Sequence, residues 1–280
     1  MQIVSTCIAR DLPVYRITFE SLRTHLPDAE VHVIIRKEDF KKFRNACGDE
    51  LIMWDEAKMI PTMSLLELSK LPLPFFPEGA GWYFQQFLKF SFVNVSNNDT
   101  HFLIWDADTI LLRPLDFFDE SGRPIYTRAE EYNHPYFETF LALLGIVPKR
   151  EFSFISQHQI IDKKILRQLL AEVESRNGGK SWPWAIMGNL KGIGTNLFSE
   201  YETYGHYVKY HNPESFVVRD ISWTREGGGL LCLPPWKLVL RRLARQHSFA
   251  AFEASNGIAR KLLRIYHTYK SLYIERKKAN

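Results

Sequence analysis

Two carboxylates one residue apart, Asp106 and Asp108, are the first place where this 280-residue chain offers chemistry. They end the apolar run His101–Trp105 inside the stretch THFLIWDADTILLRPL. On an extended backbone, side chains at i and i+2 point the same way and stand roughly 6–7 Å apart. Like charges held so close at the end of a buried strand ask for a cation between them. Hard oxygen ligands suit Mg²⁺ or Mn²⁺, and a divalent ion bridging protein to a phosphate-bearing ligand answers that need. The alternative is a turn in which one Asp caps the next element and the other is solvated.

The elements that must position this pair follow from the pattern around it. Gln2–Ile8 reads as an opening strand, Leu12–Leu26 as an amphipathic helix and Val31–Ile35 as a second strand, which is the signature of a parallel βαβ unit. Ligands in such sheets bind at the carboxyl ends of the strands. Thr6, Cys7, Arg10 and Asp11 fall there and are candidate nucleotide contacts, although Asp11 could equally cap the helix. Asp39–Gly48 reads as helical, Leu51–Trp54 as a short strand, and Lys70–Gly81, with three prolines and two glycines, as a loop. Trp82–Val93 has helical periodicity, with Phe84, Phe87, Leu88 and Phe92 on one face and Gln85, Gln86 and Lys89 on the other. A lysine and two amides suit a diphosphate and a sugar hydroxyl; a solvated helix face has the same composition.

Past the D-x-D, Ile125–Tyr126 reads as a strand and Ile160–Ser175 as a helix with Ile161, Ile165, Leu169 and Val173 inward. Ser156, Gln157, His158 and Gln159 would then lie at that helix's start, Ser156 as an N-cap or Gln157 and His158 toward an acceptor. Asn177–Asn189 carries Trp182 and Trp184, whose rings suit the apolar face of a sugar. Thr195–Tyr207 sets Glu200 and Glu202 among four aromatics including Tyr204. Carboxylates among rings either meet sugar hydroxyls or do acid–base work, since burial raises their pKa. The plain alternative is a helix carrying both glutamates outward.

Composition bounds the class. Apolar residues make up 45% and charged residues 24%, ordinary values for a globular chain. Cys7, Cys47 and Cys232 are odd in number and far apart, which argues for a reducing compartment and against a disulfide framework or structural zinc. No basic segment followed by an apolar run opens the chain, and no apolar stretch reaches the ~18–20 residues that span a bilayer, so a cytoplasmic location is expected. From Lys237 onward eleven Lys/Arg face two acids, a surplus of nine, while the rest of the chain is mildly acidic. With Trp236, Leu238, Val239, Leu240 and Leu243 spaced along it, this stretch reads as a basic amphipathic tail for an anionic membrane surface. No nucleic-acid-binding motif accompanies the charge. The expected division is a domain at 1–235, with halves at 1–115 and 116–235, followed by a tail at 236–280.

Together, the βαβ start, G-W-Y-F-Q-Q-x-x-K, Trp105-Asp106-Ala107-Asp108-Thr109, S-x-H-Q and S-E-Y-E-x-Y-G resemble a bacterial glycosyltransferase of the GT-A fold, similar to the DUF6492 family, over roughly residues 1–210. The resemblance implies an α/β fold, a Rossmann-like mixed sheet flanked by helices. It also implies a metal-dependent enzyme moving a hexose-type sugar from a nucleotide-sugar donor to a hydroxyl of a glycan or glycolipid, as in capsule, O-antigen or lipooligosaccharide assembly at the cytoplasmic face of the inner membrane. Residues 1–115 would then be the nucleotide-sugar-binding half and 116–235 the acceptor half. Donor contacts would be Thr6, Arg10, Asp11, Gln85, Gln86, Lys89, Asp106 and Asp108. The metal, Mn²⁺ or Mg²⁺, would be held by Asp108 directly and by His247 as a late third ligand, while Asp106 would reach the ribose or, through water, the metal. Acceptor contacts would be Gln157, His158, Trp184, Glu202 and Tyr204. An inverting reaction needs a base, for which Glu200 is the first choice, then Asp162 or His158.

Two other classes compete. A HAD-like phosphatase would use Asp106 as nucleophile and Asp108 as acid/base. However, residue 110 is Ile, the motif begins only after about a hundred residues, and no acidic pair of the D-D or G-D-x-x-x-D kind follows. A non-catalytic carbohydrate- or membrane-binding module would need only the aromatic loops and the tail.

Overall fold

The computed structural model describes residues 1–71, 79–97, 100–192, 196–225 and 236–252. Its centre is a five-stranded mixed sheet in the order β3-β2-β1-β4-β7. These strands are β1 Gln2–Thr6, β2 Glu30–Ile35, β3 Ile52–Asp55, β4 His101–Trp105 and β7 His158–Asp162. The first four run parallel, and β7 is antiparallel to β4. Burial is continuous along the central strands: every residue of β1 is buried, the polar Gln2, Ser5 and Thr6 included, as are the apolar Phe102–Trp105 of β4. Continuous burial, without alternation, is what a sheet covered on both faces by helices requires.

Helix α1 (Leu12–His25) connects β1 to β2 with Pro13 in its first turn, and α2 (Phe40–Cys47) connects β2 to β3. After α3 (Leu65–Ser69), α4 (Gly79–Ser91) leads through a short 3₁₀ turn into β4. Most of the proline-rich loop expected at 70–81 lies outside the described residues, and Gly79–Gly81 already belong to α4. Beyond β4 come β5 (Thr109–Leu111), β6 (Ile125–Thr127), α5 (His134–Leu144), α6 (Lys163–Arg176), α7 (Trp182–Gly188), α8 (Glu200–His211) and β8 (Val217–Arg219). β6 and β8 form a small parallel pair.

Three features differ from the sequence expectation. Ile160 and Ile161 belong to a strand, so the helix starts at Lys163 with Asp162 as its cap, the Asp162 carboxylate accepting from the N–H groups of Lys164 and Ile165. The apolar pair Ile160–Ile161 fits a buried strand or a helix equally by composition, and pairing with β4 decides for the strand. Second, residues 236–252 are not a separate tail. Helix α9 (Trp236–Leu243) precedes β9 (Phe249–Ala251), which pairs antiparallel with β5 and is fully buried. The expected boundary at 235 therefore cuts into the body, and residues 253–280 of the expected tail lie outside the described ones. Third, Asp106 and Asp108 do not extend β4. The Thr109 N–H donates to the Asp106 carbonyl at 3.0 Å, closing a turn over Asp106–Thr109.

Candidate active site

Because four strands end on the same edge, Thr6, Arg36, Glu56 and Asp106 stand at one rim of the sheet. β7 runs the other way, so Gln157, the residue just before it, reaches this rim and its last residue, Asp162, reaches the opposite one. The register confirms it: Trp105 faces His158 and His101 faces Asp162. A cavity of about 650 Å³ lies over the rim. Of the residues singled out from the sequence, Thr6, Arg10, Asp11, Gln85, Gln86, Lys89, Asp106, Asp108, Gln157 and Glu200 line it.

Its floor is a buried ionic cluster. The Lys89 ammonium donates to Asp106 Oδ1 at 2.5 Å and to Glu200 Oε1 at 2.6 Å, with the Tyr201 hydroxyl at 3.5 Å. Tyr201 Oη donates to the same Asp106 oxygen at 2.8 Å. With its amide nitrogen turned toward Asp106, Gln157 donates to Oδ2 at 3.0 Å, and its oxygen accepts from Arg225 at 2.7 and 3.0 Å. Arg225 also pairs with Glu131.

Two helices deliver these groups. α4 carries Lys89 and Gln86 on the face that the sequence left open to solvent, and both are buried. Gln86 Oε1 accepts from the Glu200 N–H at 3.0 Å, tying α4 to the start of α8, whose cap is Ser199. α8 comes close because residue 205 is glycine: a Cβ there would stand 2.2 Å from the Phe154 ring.

The electrostatics follow from burial and pairing. Burial alone would push Lys89 down, but Asp106 and Glu200 together raise it, so it stays an ammonium. Burial pushes Glu200 up, with Lys89 opposing and Asp106 adding to the rise. Tyr201 is raised by burial and by the same two carboxylates, which keeps its hydroxyl a donor. Cys7, also in the wall, is raised by burial and by Asp11 and Asp108, so its thiol is unreactive. Counting charges, one ammonium stands between two carboxylates, and the floor is net negative.

Six expected residues lie elsewhere. His158 is buried beneath the rim with its ring stacked on Trp105; Nδ1 bonds the Ser156 carbonyl at 2.9 Å, and burial holds it neutral. Asp162 caps α6 at the far edge. The Tyr204 hydroxyl accepts from the Asp162 N–H at 2.8 Å, so it too serves that edge. Glu202 turns into the core, accepting from Ser153 Oγ at 2.6 Å and pairing with His206 at 3.3 Å. The reason is helical geometry: Glu200 and Glu202 are two positions apart on α8, about 200° around its axis, and cannot share a cavity. Trp184 borders a separate, open pocket with Lys180 and Met187, its indole donating to the Thr62 carbonyl at 2.7 Å. His247 bonds Ser222 at 2.9 Å, and the β5–β9 register places Phe252 beside Asp108 instead.

Sequence reasoning passed over Tyr201, Arg225 and Glu131. Tyr201 had a signal, since it sits beside Glu200 at the start of a helix. Arg225 and Glu131 had none, lying in loops outside any motif.

A divalent cation at this place has a limited donor set. Both Asp106 oxygens already accept from Lys89, Tyr201 and Gln157, and no group of three or more His, Cys, Asp or Glu that could hold a metal ion occurs among the described residues. Asp108, with Asp106 reached through water, fits an ion whose remaining ligands come from a diphosphate and water, the usual habit of Mg²⁺.

A Rossmann-like sheet with one antiparallel strand beside the D-x-D turn, and a cavity over it, is the GT-A architecture. The galactosyltransferase LgtC, solved in complex with donor and acceptor sugar analogs, superposes with a TM-score of 0.52 at 9% identity, covering 96% of each chain. The apo form of mouse xyloside xylosyltransferase 1 gives 0.50 at 14% identity, over 91% of this chain and 98% of that one. No curated protein matches in sequence. The chain belongs to the DUF6492 family, described as a family of unknown function, whose model matches residues 3–220.

Proposed function

We propose that this protein is a glycosyltransferase that moves a hexose-type sugar from a nucleotide-sugar donor to a hydroxyl of a surface-glycan or lipid-linked acceptor. The observation that carries the reading is the Lys89–Asp106–Glu200–Tyr201 cluster at the floor of a rim cavity in a GT-A fold. The nucleotide would lie along the ends of β1 and β2, against Thr6, Arg10, Asp11 and Arg36, and the sugar over the cluster. As the glycosidic bond to the diphosphate breaks, positive charge develops at the anomeric carbon, and a net-negative floor that is already oriented stabilises it without reorganising. Lys89 is spent on its two carboxylates, so it holds the floor together and does not reach the leaving group.

The residues that would hold Mn²⁺ or Mg²⁺ are Asp108 and, through water, Asp106; the ion would neutralise charge on the departing diphosphate. Of the three bases considered for an inverting reaction, Glu200 alone lines the cavity, and we assign it that role. A phosphatase nucleophile needs an open oxygen, and three donors on Asp106 disfavour that reading. For the acceptor's setting, α9 exposes Lys237, Leu238, Arg241 and Arg242, a face that suits an anionic bilayer on the cytoplasmic side.

The test is a thermal-shift screen of nucleoside diphosphates and nucleotide sugars, with and without Mn²⁺, followed by assay of diphosphate release. A specific ligand at a hundredfold excess over its Kd stabilises the fold by about 2.7 kcal/mol. A metal-dependent shift with one base, and release of that diphosphate, is the expected result. No shift with any nucleotide overturns the reading.

A further inference from the structure

We infer that Gln157 is a positioning residue for Asp106, kept in a strained conformation because its main chain and its amide are both in use; the inference rests on the donor-site reading above. Gln157 has φ 65°, the one non-glycine residue in the left-handed region among the described residues. Such a conformation costs stability in a long side chain and persists where its surroundings enforce it, often at functional sites. Here two attachments to the same residue enforce it. The Gln157 carbonyl accepts from the Asp106 N–H at 2.9 Å, and its amide nitrogen donates to Asp106 Oδ2 at 3.0 Å.

Arg225 sets the sense of that amide. A guanidinium can only donate, and its two contacts of 2.7 and 3.0 Å claim the Gln157 oxygen and turn the nitrogen to Asp106. Glu131 holds Arg225 from the other side. With Oδ2 taken, the Asp106 carboxylate is fixed with Oδ1 toward Lys89 and Tyr201. A chain of contacts thus runs from Glu131 through Arg225, Gln157 and Asp106 to Lys89 and Glu200, joining the loop before α5 to the cavity floor. Gln157, itself in the cavity wall, exerts this positioning role through Asp106.

Two substitutions separate positioning from packing. Gln157→Asn keeps an amide and tolerates the left-handed region, but is one methylene too short. Gln157→Glu keeps the length and can still accept from Arg225, but has no N–H for Asp106. One readout needs no activity: the slowly exchanging ¹⁵Nζ ammonium signal of Lys89, assigned through its side-chain carbons. The other is the split between kcat and the donor KM. We expect both variants to melt within a few degrees of the unaltered protein, to lose the slow ammonium signal, and to drop kcat at least tenfold with KM within threefold. An unchanged signal and unchanged kcat in both variants overturn the inference, as does a kcat loss that merely tracks the unfolded fraction. If the unaltered protein turns over no nucleotide sugar, the donor-site reading falls, and the ammonium signal alone decides the case of Gln157.

Discussion

Lys89 and Glu200, 111 positions apart in the chain, meet at 2.6 Å with side chains only 6% and 4% exposed. Removing the cation would leave Glu200 and Asp106 buried against each other. Lys89→Met should therefore cost about 3–5 kcal/mol of stability, the usual penalty for breaking a buried pair. Urea unfolding measures it. Because Lys89 is raised above the ~10.4 of an unfolded lysine, the pair's contribution is complete below that value and fades only as pH climbs through the folded one. The difference between Lys89→Met and the unaltered protein should thus stay level from pH 7 to pH 9. A difference under 1 kcal/mol would sink the idea of a buried ionic floor.

His158 gives the opposite pH response. Burial, with the charge of Arg219 adding to it, pushes this imidazole down to about 3. The unfolded chain takes up a proton near 6.5 and the folded one does not. Stability is then complete above pH 6.5 and falls as pH drops toward 3, by up to about 1.4 kcal/mol per pH unit. His158→Phe, which keeps a ring against Trp105, should flatten that slope between pH 6.5 and pH 5. Equal slopes in the two proteins would mean that His158 does not stay neutral in the fold.

Asp108→Asn should leave the melting temperature of the ligand-free protein within about 2 °C, since the side chain lines the cavity, and should abolish the Mn²⁺-dependent part of any nucleotide shift. Asp106→Asn should behave differently, lowering stability even without ligand because Lys89 loses a charged partner. Identical behaviour of the two variants would contradict the division of roles between the carboxylates.

Tyr204→Phe tests a residue that the structure removes from the acceptor site. Its hydroxyl satisfies the Asp162 N–H, and its loss should cost about 1–3 kcal/mol while turnover per folded molecule is unchanged. Loss of turnover at full stability would return Tyr204 to the site.

Reversing charge on α9, with Lys237, Arg241 and Arg242 all changed to Glu, should weaken cosedimentation with phosphatidylserine vesicles and remove its dependence on salt. Binding to neutral vesicles of equal strength, before and after, would count against a membrane-facing role.

How far the chain could be read from its residues varied by element. β4 was legible because a strand buried on both faces is written as an unbroken apolar run, β1 and β2 because β-branched residues flank a helix-length amphipathic stretch, and α4 because its aromatic period is helical. β7 was not, since Ile160–Ile161 suits either element and its antiparallel partner lies 53 or more positions away. The D-x-D is legible as a motif, but its backbone is not: Asp106–Thr109 form a turn where an apolar run followed by i, i+2 carboxylates reads as extended.

The site divides along the same line. Which residues carry charge, and that Asp106, Asp108, Lys89 and Glu200 belong to motifs, is written in the order of amino acids. Which of them meet is not. Lys89 read equally well as a solvated helix face, and Glu202 as well as Glu200, because helical position alone does not say which neighbour a face receives. Only the packing of α8 on Phe154 through Gly205, and the pairing of β7 with β4, brought Glu200, Gln157 and Arg225 to Asp106 and turned Glu202, Tyr204 and Asp162 away. Local sequence set the chemistry available; contacts between distant segments, whose energies depend on burial and on each other, decided which of it was assembled.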